Sequence, residues 1–175
     1  MSLKSALTVA AAGTLFVAGA SFAQQPAAQN PLDVVPDKMP FDIPYGPGIS
    51  LDHANAVIAA ALAESKKRGW KLNVAVVDGG GNLVAFARQD GAQLASIAIS
   101  EHKARAAARY RRETVLFERA VQNNIHYILT LDDVIASRGG IPLVSDGKLI
   151  GAIGCSGGTG SQDEVVCKAG AATVK

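Results

Sequence analysis

Apolar residues recur at helical spacing from Leu51 to Leu62. Leu51, Ala54, Val57, Ile58, Ala61 and Leu62 fall on one narrow helical face. Ser50 is placed to cap that helix and Gly69 to stop it, after Lys66, Lys67 and Arg68, whose charges suit the negative end of the helix dipole. The pattern then shortens into two strand-like runs, Leu72 to Val77 and Leu83 to Arg88. Asp78-Gly79-Gly80-Gly81-Asn82 joins them, which predicts a hairpin. Ala92 to Ala108 is helical by composition, and Arg111 to Asn123 predicts an amphipathic helix with Val115, Leu116, Ala120 and Val121 facing inward. Ile141 to Val144 and Leu149 to Cys155 flank Asp146-Gly147, the strongest hairpin signal in the chain. Gly157-Gly158-Thr159-Gly160 then leads into a last helix from about Ser161. Hairpins in place of βαβ crossovers predict an α+β fold: one domain, residues 50–175, with an antiparallel β-sheet flanked by α-helices.

What precedes Ser50 follows other rules. Lys4, the uncharged run Ala6 to Ala20 and the small residues Ser21 and Ala23 read as a secretory signal peptide over residues 1–23. The run falls short of the roughly 20 apolar residues that span a bilayer. No membrane anchor is therefore expected, and the mature protein is expected to be periplasmic or secreted. Residues 24–49 hold Pro26, Pro31, Pro36, Pro40, Pro44 and Pro47, which predicts an extended arm. Val34, Val35, Met39, Phe41, Ile43 and Tyr45 make its second half less polar than a linker. It is expected either to lie across the domain or to reach a neighbouring subunit.

Composition narrows the function. A chain of 175 residues that is 49% hydrophobic is not a disordered one. Its formal charge of +2 and 5% aromatic content leave neither the basic surface nor the stacking platform of a nucleic-acid binder.

The stretch from Gly154 to Asp163 runs from a strand into a helix, where free backbone N–H groups could hold an anion at Gly157, Gly158 and Gly160. A tight turn with Asp163 at the positive helix end is the competing reading. Glu101, His102, Lys103, Arg105, Arg109, Arg111 and Arg112 crowd one helical region, as a solvated salt-bridged surface or as a basic rim for acidic ligand groups. His53, His102 and His126 are the three histidines, none of them at metal-site spacing. Cys155 and Cys167 either close a disulfide, as an oxidising compartment favours, or stay as two buried thiols. The balance leans slightly to the thiols.

Several motifs together resemble the GlcG/HbpS family, related to the C-terminal domain of PduO. They are Val74-Ala75-Val76-Val77-Asp78-Gly79-Gly80-Gly81-Asn82-Leu83, Ser100-Glu101-His102-Lys103-Ala104-Arg105-Ala106-Ala107 and Arg112-Glu113-Thr114. Gly139-Gly140-Ile141-Pro142-Leu143-Val144, Ile150-Gly151-Ala152-Ile153-Gly154 and Ser156-Gly157 to Asp163 continue the series in order. The resemblance implies a profilin-like fold, homo-oligomers, and non-covalent haem binding or haem and iron handling, with a corrinoid as the alternative cofactor. His102, His126 and His53 are then the candidate iron ligands, with Thr114 a further candidate beside them. Arg105, Arg109 and the 157–160 loop are the candidate propionate contacts. A second expectation is a catabolic enzyme or accessory protein, whose pocket would bring Asp78, Lys103, Arg105 and Asp163 to a small carboxylated or phenolic metabolite. A third is an oligomeric sensory or interaction protein.

Overall fold

The computed structural model describes residues 30–175. The signal peptide and the first residues of the arm lie outside that range. Pro31–Asp33 form a single 3-10 turn. The compact unit begins at Lys38 and runs to Lys175, so residues 38–49, read as arm from the sequence, are part of it. Here the proline-spaced chain is extended and docked: the Leu149 amide donates to the Pro44 carbonyl at 2.8 Å, and the Gly46 amide to the Leu149 carbonyl at 2.8 Å.

α1 (Leu51–Lys67) starts where Ser50 Oγ accepts the His53 amide, and Gly69 follows its end at φ 69°. The sheet contains β1 (Asn73–Asp78), β2 (Leu83–Arg88), β3 (Gly140–Ser145) and β4 (Lys148–Ser156), all antiparallel in the order β2-β1-β4-β3. Asp78 Oδ1 accepts the Gly80 and Asn82 amides, both at 2.9 Å, which shapes the first hairpin turn. Asp146 and Gly147 both take positive φ, 49° and 72°, as a tight hairpin turn between right-twisted strands demands.

α1 and α4 (Gly160–Ala171) cover one face of the sheet. Their Val57, Ile58, Ala61 and Val166 bury against Val74, Val76, Leu143 and Ile153. α2 (Ser96–Arg109) covers the other face, where alanines meet alanines: Ala104, Ala107 and Ala108 against Ala75 and Ala152. α3 (Val115–Gln122) and the 3-10 turn His126–Thr130 add an outer layer on α2 through Phe117 and Ile128.

The helix boundaries differ from the periodic pattern in three places. α2 begins at Ser96, four residues later than composition predicts, because Ala92 to Ala95 are spent on turns. α3 begins at Val115, because Arg111 sits at φ 53° and breaks the helix predicted from that residue. Its buried side chains are Val115 and Phe117, whereas Leu116, Ala120 and Val121 are only partly covered. α4 begins one residue earlier, on a capping box in which Thr159 and Gln162 satisfy each other's amides.

Cys155 and Cys167 are joined, with Cα atoms 5.6 Å apart. This corrects the lean toward free thiols: the penultimate residue of β4 and the eighth residue of α4 face each other inside the core. Both cysteines are fully buried. Replacing both with serine is expected to lower unfolding free energy by about 2–4 kcal/mol, measured by urea denaturation. An unchanged midpoint would refute a stabilising role.

Candidate functional site

The residues singled out by sequence do not form one site. Lys103 and Asp163 meet at 2.8 Å, with 1% and 3% of their side chains exposed. Lys103 Nζ also donates to the Cys155 carbonyl at 3.2 Å, and Asp163 Oδ1 accepts the Gly158 amide at 3.0 Å. Burial pushes the Asp163 carboxyl above the usual carboxylate range, against the opposing pull of Lys103 and the loop amides. This pair is sealed inside the protein and ties α2 to the start of α4. It is not open to a ligand, so the pocket expected to join Lys103 and Asp163 to Asp78 and Arg105 does not form.

The glycine loop is likewise spent on itself. The Gly158 amide serves Asp163, and the Thr159 amide donates to Gln162 Oε1 at 2.8 Å. Gly160 lies against the Arg138 side chain. The tight-turn reading describes this loop, not the anion cradle. Thr114 is fully buried, its hydroxyl accepting the Gly140 amide at 2.9 Å, so it holds β3 to the start of α3. Arg105 and Arg109 both turn to Asp133, and Arg109 Nε also donates to the Gly80 carbonyl at 2.9 Å.

The three histidines are on separate elements. His53 is exposed in the first turn of α1 and His126 is exposed on the 3-10 turn. His102 is half-buried on α2, and its Nε2 is shielded from solvent without a hydrogen-bond partner. No group of three or more metal-binding side chains occurs among the described residues.

One arrangement open to a ligand is a groove of about 490 Å³ between residues 41–43, the start of α3, the edge strand β3 and α4. Ile141, Pro142 and Val144 form an aliphatic wall from β3, faced by Leu116. Arg112 closes one end. Its guanidinium lies 3.7 Å from the Phe41 ring centroid, with Phe117 at 5.6 Å and Tyr110 at 5.8 Å. Arg112 Nε donates to the Tyr110 carbonyl at 3.0 Å. No carboxylate pairs with Arg112 among the described residues. Burial draws its pKa below the ordinary guanidinium value.

Of the other cations lining the groove, Arg111 and Lys168 are paired with carboxylates, whereas Arg119 makes no ion pair among the described residues. Lys168 lies 3.3 Å from Glu113 and 2.6 Å from Glu164. Arg138 meets Glu118 at 2.7 Å and Glu164 at 3.4 Å. Sequence had placed Arg112 in a basic rim and noted the apolar character of Phe41 and Ile43. Nothing in the pattern showed that the two would meet across 71 residues.

The family described as haem degrading protein HbpS-like matches residues 49–172. The chain belongs to the HbpS-like family. Protein GlcG of Escherichia coli (strain K12) is 43% identical over 108 residues, covering 62% of this chain and 81% of GlcG. A double mutant of HbpS from Streptomyces reticuli superposes with a TM-score of 0.69 at 25% identity, over 87% of this chain and 99% of HbpS. The haem complex of PduOC superposes with a TM-score of 0.67 at 25% identity, over 73% of this chain and 96% of PduOC. The HbpS and PduOC structures share this chain's fold.

Proposed function

We propose that this HbpS-like protein binds haem non-covalently in the groove at Arg112, after export from the cytoplasm. The observation that carries the reading is the Arg112 guanidinium, stacked on aromatic rings beside an aliphatic wall and lacking a carboxylate. A partly desolvated cation of this kind gains from a ligand carboxylate, and the wall suits a flat apolar body. A haem with its propionates toward Arg112 and Arg119 meets both requirements. The family match and the haem complex of PduOC support the same ligand. A corrinoid is the alternative tetrapyrrole for this groove.

Bound haem would supply its own redox chemistry. The chain's part is to hold the propionates and shield the porphyrin. Among the described residues, no histidine, cysteine, methionine or tyrosine lines the groove. A residue holding the iron would therefore come from outside it, with His102, His53 and His126 as the candidates, from this chain or from a second copy in a homo-oligomer. Export is supported by the character of residues 1–23 and by the buried disulfide, which forms in oxidising compartments.

Hemin titration of the protein lacking residues 1–23 is expected to give a saturable, shifted Soret band. Arg112→Ala should weaken binding about tenfold or more, the size of a lost hydrogen bond to a charged group. Replacing the three histidines together should move the Soret band of the complex. An unshifted Soret band in the parent protein, or equal affinity in a folded Arg112→Ala variant, refutes the proposal.

A further inference from the structure

A second cleft, sharing no lining residue with the Arg112 groove, opens at the end of the sheet where α1 stops. It encloses about 500 Å³, within the range of small-molecule sites. Three segments converge on it: Leu62 and Lys66 from α1, Trp70 and Lys71 from the entry to β1, and Arg88 to Asp90 from the exit of β2. Gln89 ties them together, its Oε1 accepting the Leu72 amide at 2.8 Å and the Ser65 hydroxyl at 3.0 Å. The cleft walls are thus pinned by partly buried hydrogen bonds, not left to loose surface side chains.

Its charge is uncompensated. Lys66, Lys71 and Arg88 make no ion pair among the described residues, and Asp90 is the one acid lining the cleft. The whole chain carries only +2, so this excess is concentrated, not part of a generally basic surface. A position near the C-terminus of α1 accounts for Lys66 through the helix dipole. It does not account for Lys71 or Arg88, which arrive from the strands. Beside these cations lie Leu62 and the half-buried Trp70, whose ring carries the Arg68 guanidinium 5.1 Å from its centroid. Arg68 itself is paired with Glu64.

From this juxtaposition we infer a second binding site, for a small organic polyanion with an aromatic or apolar body. The carboxylate or phosphate groups lie among Lys66, Lys71 and Arg88, and the body rests on Leu62 and Trp70. The concave shape and the partly covered indole favour a small molecule over an anionic membrane, which would be met by a protruding aromatic. The inference does not rest on the haem reading.

Trp70 is the sole tryptophan, so its fluorescence reports this cleft directly. Benzene-1,3,5-tricarboxylate is the probe, with sodium sulfate at matched ionic strength as the control. The probe is expected to change Trp70 emission saturably. The double variant Lys71→Gln/Arg88→Gln should bind it at least tenfold more weakly, with unchanged thermal midpoint and unchanged hemin titration. No saturable change overturns the inference, as does an equal response to sulfate or equal affinity in the double variant. A Trp70 blue shift with phosphatidylglycerol vesicles but not with the tricarboxylate assigns the cleft to a membrane surface and also overturns it.

Discussion

Lys103→Met is expected to destabilise the protein by about 3–5 kcal/mol, the usual consequence of leaving one partner of a buried ion pair alone. The methionine fills much of the lysine's volume, so lost packing is a small part of the effect. What remains is Asp163, with 3% of its side chain exposed and only loop amides to meet its charge. Asp163 already sits above the usual carboxylate range because of burial, even with Lys103 present. A carboxyl whose folded pKa is raised binds more protons folded than unfolded within that window. Its contribution to stability is therefore fully present at low pH and is lost as the pH rises through the folded value. Removing the lysine raises the folded pKa further, so the deficit of Lys103→Met should shrink as the pH is lowered into the carboxylate range. Lys103→Met/Asp163→Leu should recover much of the loss at neutral pH, since no charge is then buried. Urea denaturation across pH measures all three. A deficit below about 1 kcal/mol that does not vary with pH would show that the pair is not a buried electrostatic unit.

Gly154→Ala is the second large effect, and it has a steric cause. A Cβ on Gly154 would lie 2.0 Å from the Ser100 carbonyl oxygen and 2.5 Å from the Ala104 amide nitrogen. Both are backbone atoms of α2, so no side-chain rotation relieves the clash, and the helix itself must lift from the sheet. Overpacking of this kind costs about 1–3 kcal/mol, and more where backbone must move. Gly140→Ala should behave similarly, with its Cβ placed 2.3 Å from the Lys103 carbonyl oxygen. Faster amide exchange across α2, with a lower denaturation midpoint, is the expected signature. A Gly154→Ala variant with the parent's midpoint would refute the close approach. Because Lys103 is carried on the same helix, lifting α2 also pulls its ammonium from Asp163. The two substitutions should therefore be non-additive.

Much of the architecture was legible in the order of residues. Ser50 and Gly69 bracket α1, and the Asp146-Gly147 pair makes the predicted turn. The helix ends were less legible where local chemistry overrides periodicity. Arg111 has an ordinary helical neighbourhood in sequence, yet its positive φ ends the pattern, and its side chain is held by tertiary contacts. Its Nη1 donates to the Ile43 carbonyl at 2.9 Å, and its guanidinium lies 5.4 Å from the Tyr45 ring centroid. The same contacts turn residues 41–43 from proline-spaced chain into a wall of the groove.

For the site the division is sharper. By itself the sequence determined the α+β class, the two hairpins, the resemblance to a haem-linked family and the residue types available for an acidic ligand. These depend on local periodicity, turn chemistry and motif order, all carried by neighbouring residues. Only the tertiary structure decided which charges remain free. Lys103, Arg105, Arg109 and Asp163 look as available in sequence as Arg112, but a carboxylate or cation from a distant segment meets each of the first four. A charge is free or spent according to what lies within a few ångströms. That distance is set by packing between segments far apart in the chain, which periodicity along the sequence does not record.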